Sequence, residues 1–240
     1  MRILVVNVNT TATMTDSIVA AARAAAAPGT EIVGLTPRFG ADSCEGNVES
    51  YLAALGVLDA VLKYPEPFDA VVQAGFGEHG REGLQEALDV PVVDITEAAA
   101  MMASLLGHKF GVVTTLDRTV PLIEDRLLLA GLKQRCAAVV ASGLGVLELE
   151  ESHERAVAAI VAKAKQIVDQ HGVEVICLGC GGMAGLDEAV TEATGCPVVD
   201  GVASAVTLAE GLVRMKLKTS KVRTYAPART KKLIGWPLAS

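Results

Sequence analysis

The chain has 240 residues, which is enough for one large or two small α/β domains with a substantial hydrophobic core. Hydrophobic residues make up 51% of it and aromatic residues only 3%, a composition typical of buried parallel strands packed on Ala-rich helices. The formal net charge is -7 and the Lys and Arg residues are scattered, which argues against binding to nucleic acid or to a membrane surface.

Strand-like and helix-like segments alternate along the whole chain. Short apolar runs bounded by Gly, Pro, Asp or Asn predict strands at 2–6, 31–35, 70–74, 91–94, 110–115, 137–141, 174–178 and 197–200. Longer periodic or Ala-rich stretches predict helices at 14–27, 47–62, 81–88, 97–107, 120–130, 152–170, 185–194 and 202–214. This βαβα order predicts an α/β fold with parallel sheets and helices on both faces.

Part of the pattern occurs twice. Residues 71–94 read VVQAGFGEHGREGLQEALDVPVVD, and residues 175–200 read VICLGCGGMAGLDEAVTEATGCPVVD. Both consist of an apolar strand, a Gly-rich turn, a short helix and the segment PVVD, and Gly80 matches Gly185. Two copies of one unit predict two similar domains that face each other. Because ligands of open α/β sheets bind beyond the carboxyl ends of the strands, both turns should border one cleft.

The cysteines and the apolar runs indicate where the protein works. An odd number of cysteines, five, does not favour a disulfide framework, and the spacing C-x-x-C of Cys177 and Cys180 has no second pair that would complete a zinc site. No apolar run reaches the roughly 18 residues of a membrane-spanning helix. The N-terminal run MRILVV is shorter than the core of a signal peptide. We therefore expect a cytoplasmic protein without a bound metal.

A nucleotide cofactor is not expected either. The segment from Gly75 to Gly80, GFGEHG, has the spacing G-x-G-x-x-G after a strand, but it lies in the middle of the chain. The acidic residue that should follow about 20 positions later matches only loosely, at Asp94 or Glu97. The motif alone is therefore weak.

Cys180 has the pattern of a reactive residue. It ends a predicted strand, and Gly181 and Gly182 follow it shortly before a helix. Backbone N–H groups in such a turn stabilise a thiolate and can also bind an oxyanion. A thiolate there is a good proton acceptor for an activated carbon acid. The alternative is a buried, inert cysteine, which is our interpretation of Cys177 inside the same strand.

The sequence resembles the hydantoin and allantoin racemases of the aspartate/glutamate racemase superfamily. The resemblance covers nearly the whole chain and is carried by RILVVNVNTTATMT, PRFGADSCEG, VVTTLDRT, VICLGCGGM, PVVDGVASAV and KTSKVRTY. It implies two pseudo-symmetric α/β domains, each a parallel sheet flanked by helices, with the active site in the cleft between them. It further implies a first domain of residues 1–96 plus 208–240, a second domain of residues 97–207, and a homo-oligomer.

The activity that the resemblance implies is racemisation of a small molecule, a 5-substituted hydantoin, without a cofactor. Two acid/base groups act on opposite faces of C5, and Cys180 matches one of the two cysteines of the family. The other position holds Gly75, which has no side chain. The second group should therefore come from Glu78 or His79 in the same turn, and a histidine titrates near neutral pH. The alternative for both is a solvated loop residue.

Other residues are expected to contact the substrate. Amide and hydroxyl groups suit the imide oxygens and N–H groups of a hydantoin, and the family uses an Asn of the segment N-x-N-T. The predicted substrate-binding residues are Asn9, Thr10, Gly75, Phe76, Gly77, Thr114, Thr115 and Gly181. Asn and Thr also cap helices and form turns. The loop 43–46 is expected to cover the cleft, with Cys44 as an exposed thiol.

Two other functions fit the same residues. Arylmalonate decarboxylases of the superfamily also combine Gly at the first position with Cys at the second, but there the turn carries hydroxyl groups, whereas Phe76 follows Gly75 here. The other alternative is a small-molecule-binding protein that lost catalysis together with the first cysteine.

Overall fold

The computed structural model describes residues 1–232 and Ile234. Within them the strands β1 to β8 are Arg2–Val6, Glu31–Leu35, Ala70–Gln73, Val92–Asp94, Phe110–Thr114, Cys136–Ala141, Val175–Leu178 and Val198–Val199. The helices α1 to α9 are Ala12–Ala25, Asn47–Leu62, Arg81–Ala87, Ile95–Leu106, Val120–Leu129, Glu148–Glu151, His153–His171, Asp187–Thr194 and Gly201–Arg214. Every predicted element is present with ends that differ by at most two residues, and the short α6 was not predicted.

The described strands form two parallel sheets of four strands each. Their orders are β2-β1-β3-β4 and β6-β5-β7-β8, so the second sheet repeats the first. The predicted fold class is confirmed. The repeat explains the hydrophobic character of the strands: β1 and β3 are buried on both faces, because helices cover each sheet from two sides.

The segment PVVD has the same structural role in both copies. Asp94 ends β4 and caps α4, where its carboxylate accepts the N–H groups of Thr96 and Glu97. Asp200 follows β8 and caps α9 by accepting the N–H of Ala203. A carboxylate at a helix N-terminus satisfies free backbone donors, which explains why the repeat ends on Asp.

Two long helices connect the halves. Helix α9 packs against α1 and β3 of the first sheet, while α4 contacts both α9 and β7. The predicted domain boundaries, after residues 96 and 207, therefore fall inside α4 and α9. The division into domains stays a prediction, and residues 233 and 235–240 of the predicted first domain lie outside the described residues. Among those described, no helix is both long and apolar enough to cross a membrane.

Candidate active site

One cavity lies where the inner strands of both sheets end. In each sheet the strand order reverses between the two inner strands, β1 and β3 in one and β5 and β7 in the other. Such switch points are where open α/β sheets bind ligands. The cavity contains about 430 Å³ of empty space, its open mouth included, and is lined by residues that follow all four of these strands.

Cys180 lies at the junction of the two halves. It follows β7, packs partly buried against the hydrophobic cores of both halves, and lines the cavity. It also precedes the single helical turn Gly181–Met183. The first N–H groups of a helical turn have no acceptor within it, so the amides of Gly181 and Gly182 are available to an anion beside the thiol.

The two Gly-rich turns approach each other closely. A Cβ atom on Gly181 would lie 2.9 Å from the carbonyl oxygen of Ala74, the residue before Gly75. Only a glycine permits this approach, since real Cβ contacts are longer than 3.0 Å. The end of β7 and the end of β3 thus form adjoining walls of one cavity, as the duplication predicts.

The side chain of His79 occupies the space beside Gly75. A Cβ atom on Gly75 would lie 2.4 Å from His79 Cδ2 and 2.4 Å from Val8 Cγ1. His79 lines the cavity, is 5% exposed, and its Nδ1 has no hydrogen-bond partner among the described residues. Burial lowers the pKa of His79 from 6.5 to about 4, so the imidazole is neutral at pH 7.

Glu78 points the other way. Its Oε1 accepts the N–H of Gly80 at 2.8 Å, and its Oε2 lies 2.7 Å from Nη1 of Arg126. The side chain is 45% exposed and does not line the cavity. Adjacent residues in the tight turn point to opposite sides, which explains why only His79 of the two lies in the cavity wall.

Two of the predicted substrate-binding residues also lie outside the cavity wall. The N–H of Gly77 donates to Thr96 Oγ1 at 2.8 Å, so this amide is already used by the protein. The N–H and the hydroxyl of Thr10 both donate to the carbonyl oxygen of Ala41, which fastens the following loop. Their contacts make both of them structural residues of the turns around the cavity.

The structure places Asn9 in the cavity wall beside a second amide, Asn7. Asn7 Nδ2 donates to Asn9 Oδ1 at 2.8 Å, which fixes the orientation of both side chains. Asn9 Nδ2 donates to the thioether sulfur of Met14 at 3.1 Å. Because a thioether is a weak acceptor, this amide can turn to a substrate carbonyl at little cost.

The remaining predicted residues line the cavity from several sides. Thr114 ends β5 and Thr115 follows it. The hydroxyl of Thr114 donates to the carbonyl oxygen of Gly179, so it orients the residue before the thiol. Phe76 contributes an apolar surface and is partly buried between two cores. The cavity thus combines polar groups with one aromatic ring.

Cys44 also lines this cavity, contrary to our expectation of an exposed thiol. Its Sγ donates to the carbonyl oxygen of Val8 at 3.3 Å. Burial raises the pKa of Cys44 to about 12, with smaller contributions from Glu49 and Cys180. The neighbouring Glu45 accepts the N–H of Val146 in the second half, so the loop 43–46 bridges the cleft.

Comparison with known proteins agrees with this geometry. The sequence profile of the family Asp/Glu/Hydantoin racemase matches residues 3–209. The chain belongs to this family.

Similar proteins place it more closely among the racemases. It is 69% identical to an allantoin racemase from Pseudomonas fluorescens of known structure, with a TM-score of 0.97 over 98% of this chain and 100% of that one. It is 36% identical over 236 residues to a hydantoin racemase from Pseudomonas sp. (strain NS671), covering 98% of this chain and 95% of the relative. The chain is thus an isomerase of the racemase type.

A more distant likeness concerns the fold alone. The structure of an unliganded arylmalonate decarboxylase shares 16% identity with this racemase, with a TM-score of 0.59 over 88% of this chain and 92% of that one. It shows that both use the same arrangement of two sheets.

Sequence reasoning did not find two features of this racemase. The sequence predicts that the loop 43–46 covers the cleft, but not that the Cys44 thiol is buried there, because that depends on the fold of an irregular loop. The other feature is the buried guanidinium of Arg126, for which its helix VPLIEDRLLL carries no local signal, because Glu124 and Asp125 precede it. Among the described residues, no three His, Cys, Asp or Glu side chains are grouped as a metal site.

Proposed function

We propose that this racemase moves the proton at C5 of allantoin or of a closely related 5-substituted hydantoin, with Cys180 as one acid/base. The observation that carries the proposal is the meeting of the Cys180 thiol and the turn 75–80 in one cavity at the switch points of both sheets. Allantoin is itself a hydantoin with a ureido group at C5. The 69% identity to an allantoin racemase favours it over other hydantoins.

The reaction requires two proton transfers. The Cys180 thiolate takes the proton from C5, the C–H bond breaks as an S–H bond forms, and the electron pair is delocalised onto the C4 oxygen as an enolate. We expect the amides of Gly181 and Gly182 and the side chain of Asn9, which line the cavity, to donate to ring oxygens. Loss of one such donor typically costs about 10²–10³ in rate. A second group then donates a proton to the opposite face and is left deprotonated.

We infer that the turn 75–80 carries this second group, at either His79 or Glu78. Position favours His79, which lines the cavity beside Gly75. Its low pKa is unfavourable for proton donation, because little imidazolium exists near neutral pH. Glu78 has a carboxylate that can accept the proton in the reverse direction of the reaction, but this side chain has to leave Arg126 to reach the cavity.

The experiment measures exchange and inversion separately. Each enantiomer of allantoin is incubated in deuterium oxide with the enzyme, and the loss of the C5–H signal and of optical rotation is followed, with an enzyme-free blank. The wild-type enzyme should remove both signals from both enantiomers. Cys180→Ala should fail to exchange the enantiomer whose C5–H faces the thiol and should invert neither.

The second group is identified by the same assay. The variant that removes the second acid/base group, either His79→Gln or Glu78→Gln, should still exchange the enantiomer that faces Cys180 but should no longer invert it. Cys196→Ala is the control, because this thiol is partly exposed and lies outside the cavity wall. Normal inversion by Cys180→Ala would refute the proposal, and normal inversion by both turn variants would remove the turn from the mechanism.

Two outcomes would favour the alternatives. Release of carbon dioxide from an arylmalonate, without hydantoin racemisation, would support a decarboxylase. Binding of allantoin without exchange would support a protein that binds a small molecule and does not catalyse.

A further inference from the structure

Among the described residues, Arg126 is the largest side chain that is fully buried, with 1% of it exposed. It lies in α5, on the second half of the molecule, in a helix otherwise rich in Leu and Ile. A buried guanidinium is strongly unfavourable unless carboxylates pair with it. Its partners therefore show what this charge is for.

Three of these partners, Glu78, Glu82 and Asp94, belong to the first half, and the fourth, Glu97, lies in the first turn of the connecting helix α4. Nη1 of Arg126 lies 2.7 Å from Glu78 Oε2 and 2.6 Å from Glu82 Oε1. Nη2 pairs with Glu97 and lies 3.6 Å from Asp94 Oδ2. One guanidinium thus joins the turn after β3 to the N-terminus of α4.

A second arginine completes the set, which we call the Arg126 cluster: Arg81, Arg126, Glu78, Glu82, Asp94 and Glu97. Arg81 lies 2.9 Å from Glu82, 2.6 Å from Glu97 and 3.4 Å from Asp94. Four carboxylates therefore share two guanidinium groups, and Asp94, which caps α4, is 1% exposed. The excess of carboxylates makes the cluster depend on both arginines.

The Arg126 cluster holds the turn that contains His79, and this turn borders the cavity. Glu78 and Glu82 lie on either side of His79 in the chain, and both are held by Arg126, which itself does not line the cavity. Gly77 is fastened to Thr96 in the first turn of the same helix α4. The turn that faces Cys180 is thus attached to a rigid helix on one side and to the second half on the other.

We propose that Arg126 is a positioning residue for racemisation, which holds the turn 75–80 with the side chain of His79 in the cavity wall, facing C5 opposite Cys180. This inference rests on the proposed function. A plain structural role is the competing explanation, since buried ion pairs often contribute little net stability but become strongly destabilising when one partner is removed. The test must therefore measure something that stability alone does not change.

The measurement is the ratio of inversion to exchange for the enantiomer that faces Cys180, in Arg126→Met and Arg126→Lys. Misplacement of a catalytic group by about 1 Å can cost about 10² in rate. We expect Arg126→Met to lower inversion about 100-fold while exchange through Cys180 falls less than threefold. Arg126→Lys keeps the charge but not the forked contacts, so its ratio should lie between those of the wild type and Arg126→Met.

Asp59→Asn is the matched control. Asp59 is buried in α2, pairs with Arg38 and Lys63, and lies outside the cavity wall. Its substitution removes a buried carboxylate from two exposed cationic partners and should lower the melting temperature without changing the ratio. Thermal unfolding of every variant shows how much stability each has lost.

The outcomes separate the two proposals. An unchanged ratio in both Arg126 variants, or an equal fall of inversion and exchange, would overturn the positioning role and leave the proposed function intact. Absence of C5–H exchange in the wild-type enzyme would refute the proposed function, and the role of Arg126 with it. If Arg126→Met does not fold, the ratio in Arg126→Lys decides.

Discussion

Gly75→Ala tests whether His79 fills the place of a missing side chain. The added Cβ would lie 2.4 Å from His79 Cδ2, 2.4 Å from Val8 Cγ1 and 2.9 Å from Gln73 Nε2. Ordinary van der Waals contact begins near 3.4 Å, so at least the imidazole and the valine must move. The backbone of Gly75 does not have a positive φ, so the substitution adds a clash rather than a strained turn.

The magnitude follows from overpacking. One methyl group forced into a well-packed interior typically costs about 1–3 kcal/mol. For a chain of this size each 1 kcal/mol lowers the melting temperature by about 2–4 °C, which gives a decrease of about 2–12 °C. Displacement of the imidazole by about 1 Å should also lower inversion by about 10², if His79 is the second acid/base.

The assay is a double-mutant cycle of Gly75→Ala and His79→Ala. Each variant is measured by thermal unfolding and by the exchange experiment. His79→Ala removes the ring that the new methyl group meets, so the double variant should be less destabilised than the sum of the single ones by at least about 0.5 kcal/mol. The control is Gly211→Ala in α9, where a Cβ has nothing within 4 Å. That variant should gain up to about 1 kcal/mol from helix propensity.

Two results would refute this reasoning. Wild-type stability and inversion in Gly75→Ala would mean that the wall of the cavity is not closed at this position. Simple additivity in the cycle would mean that His79 is not the group that a side chain at position 75 displaces.

Two further predictions follow from the pKa values. Burial lowers the pKa of His79 to about 4, so the unfolded chain binds the proton first and stability falls as the pH drops below 6.5. Urea unfolding should show about 2 kcal/mol more loss between pH 7 and pH 5 in the wild type than in His79→Gln, and equal losses would contradict this. Because burial raises the pKa of Cys44 to about 12, iodoacetamide at pH 8 should label the partly exposed Cys196 while Cys44 stays unmodified, as seen by mass spectrometry. Labelling of Cys44 as fast as Cys196 would show that its thiol is accessible and ionises readily.

The fold was predictable because its signals are local and repeated. Short apolar runs, glycine turns and the two copies of PVVD each describe a few neighbouring residues, and their order leaves little choice but parallel sheets. Cys180 was predictable for the same reason, since a strand end followed by two glycines places a side chain at the edge of a sheet.

The rest depended on contacts between distant segments. Sequence adjacency could not tell that Glu78 turns to Arg126 while His79 turns to the cavity, because the partner lies 48 residues away. The contact of Cys44 with Val8 spans 36 residues and passes through a loop without regular structure. Such contacts leave no periodic pattern in the chain.

The duplication explains how one cavity can serve both faces of a planar carbon. Matched strands place Cys180 in one half and Gly75 in the other, and Gly80 and Gly185 have the same left-handed backbone, with φ of 89° and 82°. The frame is therefore symmetric while the side chains are not. Protonation of a planar carbon on either face needs an acid/base group on each side of it. Each half of the molecule provides one of these two sides. A side chain missing from one half can then be replaced from the same turn, where His79 occupies the space beside Gly75.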